Sequence, residues 1–334
     1  MTVGATLVAS LLATLERPAT WPLALAGFLV RGGLLLVLLP IVVLPTAVGL
    51  ANVLAPILTS AVLTGLTSSV LVVIAATALG GVAWLLGGGL LAAATEAEGV
   101  RLVVEGEGVS VPPRPDVAWR ILAVRLAAHV PLILALIFGA TRIVAAAYRE
   151  FTVPVDTVTP LALRVIKAVP DALALVVLAW LLGEFLGAVA ARRVVIADDG
   201  TLRALRLGLA HVVRRPLRCV ALAVVPLLAL IAVLVPSAAA AAASWSAIRA
   251  SLEDGSGTLL TLGAVVILVA VWTGQLVLLG MVAAWRAAVW TVDASGTFGG
   301  VLSPPEGDWR RAAASGSLGD PASAAARPGS EGDA

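Results

Sequence analysis

AWLLGEFLGAVA (Ala179–Ala190) and the segment that follows it, ARRVVIADDGTLRALRLGLAHVVRRPLR (Ala191–Arg218), decide the fold. The first part is apolar enough to lie in a bilayer. The second holds seven of the 22 basic residues: Arg192, Arg193, Arg203, Arg206, Arg214, Arg215 and Arg218. Short loops that keep Arg face the cytoplasm, so a span returns to the inner side at about Ala191. Glu184 is the one carboxylate this reading places inside a membrane helix.

Composition carries the reading to the whole chain. The 334 residues are 60% hydrophobic and 13% charged, against about 25% charged in soluble proteins. A chain this apolar needs the bilayer as its solvent. A net charge of +2 argues against nucleic acid as a partner. The single cysteine, Cys219, excludes an intrachain disulfide and a multi-cysteine metal site. His129 and His211 stand apart in sequence, so neither a metal nor a cofactor is expected.

At about 20 residues per crossing, six spans are expected, at residues 32–54, 70–94, 126–147, 171–191, 217–239 and 259–284. Trp21–Val30 is expected near the inner surface, with Arg31 reaching the headgroups. Three helices should lie on that surface: Thr2–Glu16, with Val3, Leu7, Leu11, Leu12 and Leu15 in a stripe; Asp116–Arg125, with Arg120 and Arg125 wet; and one beginning at a Thr201 cap. In the last, Leu202, Leu205, Leu209 and Val212 form the apolar face and Arg203, Arg206 and Arg214 the charged one. That charged face either binds anionic lipid headgroups or only sets topology. The acidic segment Thr95–Pro115 suggests a small hairpin, and Asp198-Asp199-Gly200 a turn. Residues 1–292 form the membrane domain, and the Gly-, Ser- and Pro-rich residues 293–334 a disordered tail. On this topology 17 of the 22 basic residues lie inside. Both termini are then expected to be cytoplasmic, and the Ala-, Arg- and Val-heavy usage suggests a GC-rich bacterium and hence a bacterial inner membrane.

Self-similarity suggests three copies of one unit: a surface helix, an outgoing span, an outer turn and a returning span. AWLLG recurs at Ala83–Gly87 and Ala179–Gly183, with a looser VWTGQ at Val271–Gln275. LAAHV at Leu126–Val130 resembles LAHVV at Leu209–Val213. Aligned on the glycine after tryptophan, Gly88, Glu184 and Gln275 coincide. Glu184 lies ~12 Å along the helix from Arg192, deep enough for a protonated Glu184 to hydrogen-bond Gln275 at the bundle centre. The pair serves either as glue between helices or as a proton or substrate site.

Two further stretches, GAVAARRVVI (Gly187–Ile196) and GMVAAWRAAV (Gly280–Val289), end returning spans in small residues before Arg. With three hairpins and inner amphipathic helices, this pattern over about Ala13–Val292 resembles bacterial six-span families. One is the membrane domain that precedes some glycerophosphodiester phosphodiesterases. The phosphodiesterase domain itself has no counterpart here, so the resemblance implies a fold and no hydrolytic activity.

The expectation is therefore an all-α polytopic helical bundle of three repeated hairpins with interfacial amphipathic helices. It is expected not to be an enzyme. The leading function is a membrane component that organises lipids or partner proteins. A permease with Glu184 and Gln275 along its path is the alternative, and a membrane enzyme acting on lipid substrates comes third.

Overall fold

The computed structural model describes residues 1–41, 67–152, 159, 161–253 and 258–302. Among these, every regular element is a helix. In chain order they are α1 (Val3–Glu16), α2 (Thr20–Phe28), a π turn (Leu29–Gly33), α3 (Leu34–Leu38), α4 (Ser68–Glu105), α5 (Val117–Ala128), α6 (Val130–Thr152), α7 (Leu161–Ala168), α8 (Pro170–Ile196), α9 (Thr201–Arg214), α10 (Pro216–Glu253) and α11 (Thr258–Leu302). Among the described residues, six segments are long and apolar enough to cross a membrane: Thr20–Leu38, Val70–Glu105, Val117–Glu150, Pro170–Ile196, Pro216–Glu253 and Leu259–Gly296. The chain is an all-α polytopic bundle.

The packing places three returning helices at the centre. Helices α4, α8 and α11 each contact the other two. The short helices seat on them in rotation: α5 packs on α4, α9 on α8, and α1 on α11. Each short helix thus contacts the returning helix that precedes it in the cycle, α1 contacting the last one, and α5 alone packs as extensively on the helix that follows, α8. Small residues permit the approach. A Cβ on Gly89 would meet Leu122 Cδ1 of α5 at 2.7 Å, and one on Gly280 would meet the Trp21 carbonyl of α2 at 3.1 Å.

Helix α1 turns an unexpected face inward. Thr2 caps it, accepting from the Ala5 amide at 3.3 Å. Its buried residues are Thr6, Ser10, Ala13 and Thr14, while Val8, Leu12 and Leu15 are exposed. The Trp285 indole donates to the Leu7 carbonyl and to Ser10 Oγ at 3.2 and 3.1 Å. With lipid rather than water outside, leucine loses nothing by pointing outward, and the hydroxyls find partners inside.

Several expectations are corrected. No hairpin follows the second span: α4 continues to Glu105, because Ala93, Val100 and Val104 recur at helical spacing in the core and Val103 packs against Ala288 and Val292. That spacing overrides the alternation seen in the sequence. The first crossing begins at Thr20 rather than at residue 32, through a π turn in which Gly32 has φ 106°, a value glycine adopts freely. The rest of that expected span, from residue 42, and the outer turn up to residue 66 lie outside the described residues. Helix α11 runs on to Leu302, so the expected disordered tail is helical over residues 293–302; residues 303–334 lie outside the described residues. At 45 residues α11 is roughly 68 Å long, about twice the hydrocarbon thickness.

Candidate functional site: an arginine and carboxylate layer

The helices bring their charged residues together at the arginine-rich end. Glu96, on α4, is the hub. Its Oε1 accepts from Arg125 Nη2 and Arg192 Nη1, both at 2.5 Å. Its Oε2 accepts from Arg31 Nη2 at 2.5 Å and Arg125 Nε at 3.3 Å. The Glu96 side chain is 6% exposed and that of Arg192 is 2% exposed. Arg192 also donates to the Ala188 and Ala287 carbonyls at 3.2 and 3.1 Å, tying α8 to α11. One carboxylate therefore joins the π turn, α4, α5 and α8. Arg125, expected to be wet, points inward because its helix packs between α4 and α8.

Glu184 forms the second node. Its Oε2 accepts from Arg286 Nη2 at 2.8 Å, and its Oε1 lies 3.5 Å from His129 Nε2. The other ring nitrogen of His129, Nδ1, is 2.8 Å from the Arg125 carbonyl. His129 is the single residue between α5 and α6, so this contact fixes the bend between them. Gly183 allows it: a Cβ there would lie 3.0 Å from His129 Cδ2.

The expected Glu184–Gln275 hydrogen bond is not formed. Arg286 takes the carboxylate instead and supplies the counter-charge that a neutral, protonated acid would not need. Gln275 is 1% exposed, and neither its Oε1 nor its Nε2 has a hydrogen-bond partner. Its neighbours along α11, Trp272, Leu276 and Leu279, belong to an apolar cluster with Leu230 and Val37. An unpaired buried polar group costs about 1–3 kcal/mol. Gln275→Leu is therefore expected to leave the detergent-solubilised melting temperature unchanged or raised. A fall of several degrees would mean that the amide has a partner.

Two outer nodes complete the layer. Asp293 pairs with Arg218 at 2.5 Å, and Arg218 also donates to Thr6 Oγ1 and the Met1 carbonyl. Asp199 pairs with Arg193 at 2.7 Å and Arg203 at 3.0 Å. Asp198 meets Arg120 at 2.8 Å and also pairs with Arg114. The hydrogen bond from Arg120 holds the Asp198 carboxyl below its ordinary value. Asp198 to Gly200, expected as a turn, form an irregular link after the Ala197 cap of α8, with Asp198 at φ 53°.

Helix α9 presents Arg203, Arg206 and Arg214 on its exposed side. Thr201 is its first residue rather than its cap, which is Gly200. Ala204, Gly208 and Val212 face inward, while Leu202 and Leu209, expected on the same face as Val212, are exposed with Val213. The small residues make the contact with α8: a Cβ on Gly208 would meet Leu186 and Ala190 at 3.1 and 3.4 Å. The leucines are left beside the arginines on the outer surface.

Among the described residues no three His, Cys, Asp or Glu side chains gather as metal ligands. Sequence reasoning treated Glu96 as a loop acid and Arg31 as a headgroup anchor, and so missed the hub. A signal was present. Trp84 and Trp180 match in the AWLLG alignment, and the same offset of 96 residues places Glu96 on Arg192. Equivalent positions of two returning helices carry opposite charges that meet at the centre. No family model, curated protein or solved structure matches this chain.

Proposed function

We propose that this chain is a non-enzymatic component of a bacterial inner membrane that gathers anionic lipids at its cytoplasmic face, with both termini on that side. The observation that carries this is helix α9, where Arg203, Arg206 and Arg214 are exposed beside the outward Leu202, Leu209 and Val213. A helix lying in the interface needs that combination: apolar side chains at the acyl boundary and cations among the headgroups. The inner excess of basic residues supports the orientation. We further propose that the bundle is three copies of one hairpin unit, related to the membrane domain that precedes some glycerophosphodiester phosphodiesterases. The cyclic seating of α1, α5 and α9 supports the triplication.

Each arginine near an anionic surface contributes about 1 kcal/mol, a factor of about 5 in local lipid preference. The test is lipid analysis of the protein after extraction from bilayers of phosphatidylcholine and phosphatidylglycerol. The wild type should retain phosphatidylglycerol in excess of its bulk share. The triple variant R203Q/R206Q/R214Q should lose most of that excess and keep its orientation. An inverted orientation with unchanged lipid content would mean that these arginines only set topology. A permease path through both Glu184 and Gln275 is disfavoured by the burial of Gln275, which is 1% exposed.

A further inference from the structure

The central layer carries more cation than anion. Arg31, Arg125, Arg192 and Arg286 face two carboxylates, Glu96 and Glu184, an excess of two positive charges among these six groups. The remaining acids nearby are already committed: Glu98 to Arg101, Asp199 to Arg193 and Arg203, Asp293 to Arg218. Uncompensated charge in a largely enclosed cluster is costly, so such residues pair or meet a ligand.

The layer has a closed side and an open one. Glu96 and Arg192 are sealed, and the Arg192 Nε has no partner. Arg31, Arg286, Glu184 and His129 are 45%, 31%, 30% and 24% exposed. Contacts chain these groups together: Arg31 and Arg125 share Glu96, and His129 joins the Arg125 carbonyl to Glu184, which accepts from Arg286. The contacts on Glu96, Ala92 and Glu184 use Nη2 of Arg31 and Nη2 of Arg286. Each guanidinium has five N–H donors, so both retain donors for a further acceptor.

We propose that this open side, built from Arg31 and Arg286 with Glu184 and His129, binds one phosphate-bearing anion. The guanidinium fork matches phosphate oxygens in pairs, which a compact ammonium does not. A single phosphodiester or phosphate supplies the missing negative charge. Glu184 then acts as a competitor that holds Arg286 until the anion takes its donors. The site is separate from the α9 surface and shares with that reading only the choice of an anionic ligand.

The experiment uses the full chain in uncharged detergent, titrated separately with short-chain phosphatidylglycerol, short-chain phosphatidylcholine and inorganic phosphate. Thermal stability and native mass spectrometry are the readouts. Phosphatidylglycerol should bind and stabilise, and phosphatidylcholine should not. Binding of inorganic phosphate as well would identify the phosphate group itself as sufficient; its failure beside phosphatidylglycerol would identify a lipid headgroup. Arg286→Gln should weaken binding about tenfold, the loss of one charge-assisted contact. Glu184→Gln should strengthen it, a gain that a folding defect cannot mimic. Where Arg286→Gln does not stay folded, Arg31→Gln and Glu184→Gln decide. R203Q/R206Q/R214Q should leave this binding intact, which separates failure here from failure of the α9 reading. Equal binding of the two lipids, no binding of any probe, or a weakening on Glu184→Gln would overturn the proposal.

Discussion

Glu96→Gln is expected to destabilise the folded protein severely in detergent. The side chain is almost the same size, so the loss is electrostatic. Glu96 is the acceptor for Arg31, Arg125 and Arg192, and two of those guanidiniums are well buried. Removing one partner of a buried ion pair costs about 3–5 kcal/mol, because the other charge stays behind unpaired. Here three charges stay behind. The total stability of a domain is about 5–15 kcal/mol, so this one substitution removes a large part of it. Size-exclusion chromatography after a temperature ramp reads the outcome: wild-type protein elutes as one peak and Glu96→Gln aggregates at much lower temperature. Adding Arg192→Leu to Glu96→Gln should restore part of the loss, since one orphaned cation goes with it. Arg31→Gln alone should be mild, because Arg31 is nearly half exposed. A Glu96→Gln protein as stable as wild type would mean that the three arginines have other acceptors.

Gly183→Val is expected to cost the second largest amount, about 1–3 kcal/mol, as overpacking does in a close-packed interior. A Cβ at Gly183 would stand 3.0 Å from His129 Cδ2 and 3.1 Å from the Ala128 carbonyl oxygen. The carbonyl is backbone and cannot swing away, so α5 and α8 would have to separate. The separation pulls His129 from Glu184 and Arg125 from Glu96. Gly87 and Gly274 match Gly183 in the sequence alignment, yet a Cβ on either meets nothing within 4 Å among the described residues. Gly87→Val and Gly274→Val should therefore change the melting temperature little. The same ramp on all three variants tests this, and equal losses would assign the effect to valine in a helix rather than to the contact.

The membrane character and the six spans were legible because hydropathy reports burial in lipid residue by residue. The helical character of the three short segments was legible too, through their apolar periodicity. What failed was the choice of inward face. In α1 and α9 the sequence shows a leucine stripe, and in water that stripe would be the buried one. Here the outer solvent is lipid, so Thr6, Ser10, Ala204 and Gly208 face inward instead. The pairing of Glu184 failed for a related reason. Equivalence in a repeat places Gln275 beside it in alignment, but a long arginine side chain from lower on α11 reaches it first. The Glu96 hub reaches a partner 96 positions away and draws on four elements whose rotation about their axes no local pattern records.

The seating of α1 on the last helix constrains how the protein is made. The Trp285 indole and its acceptor on Leu7 are 278 residues apart. At a synthesis rate of about 5–20 residues per second, α1 leaves the ribosome roughly 15–55 s before its partner. For that interval Thr6, Ser10 and Thr14 lack their docking surface, while the leucine edge can already rest on the bilayer. The leucines thus give the nascent segment a parking place in the headgroup region, and the hydroxyls dock when the last returning helix inserts. A ribosome stalled before Trp285 would release a chain whose first two hairpins are inserted and whose ring is still open.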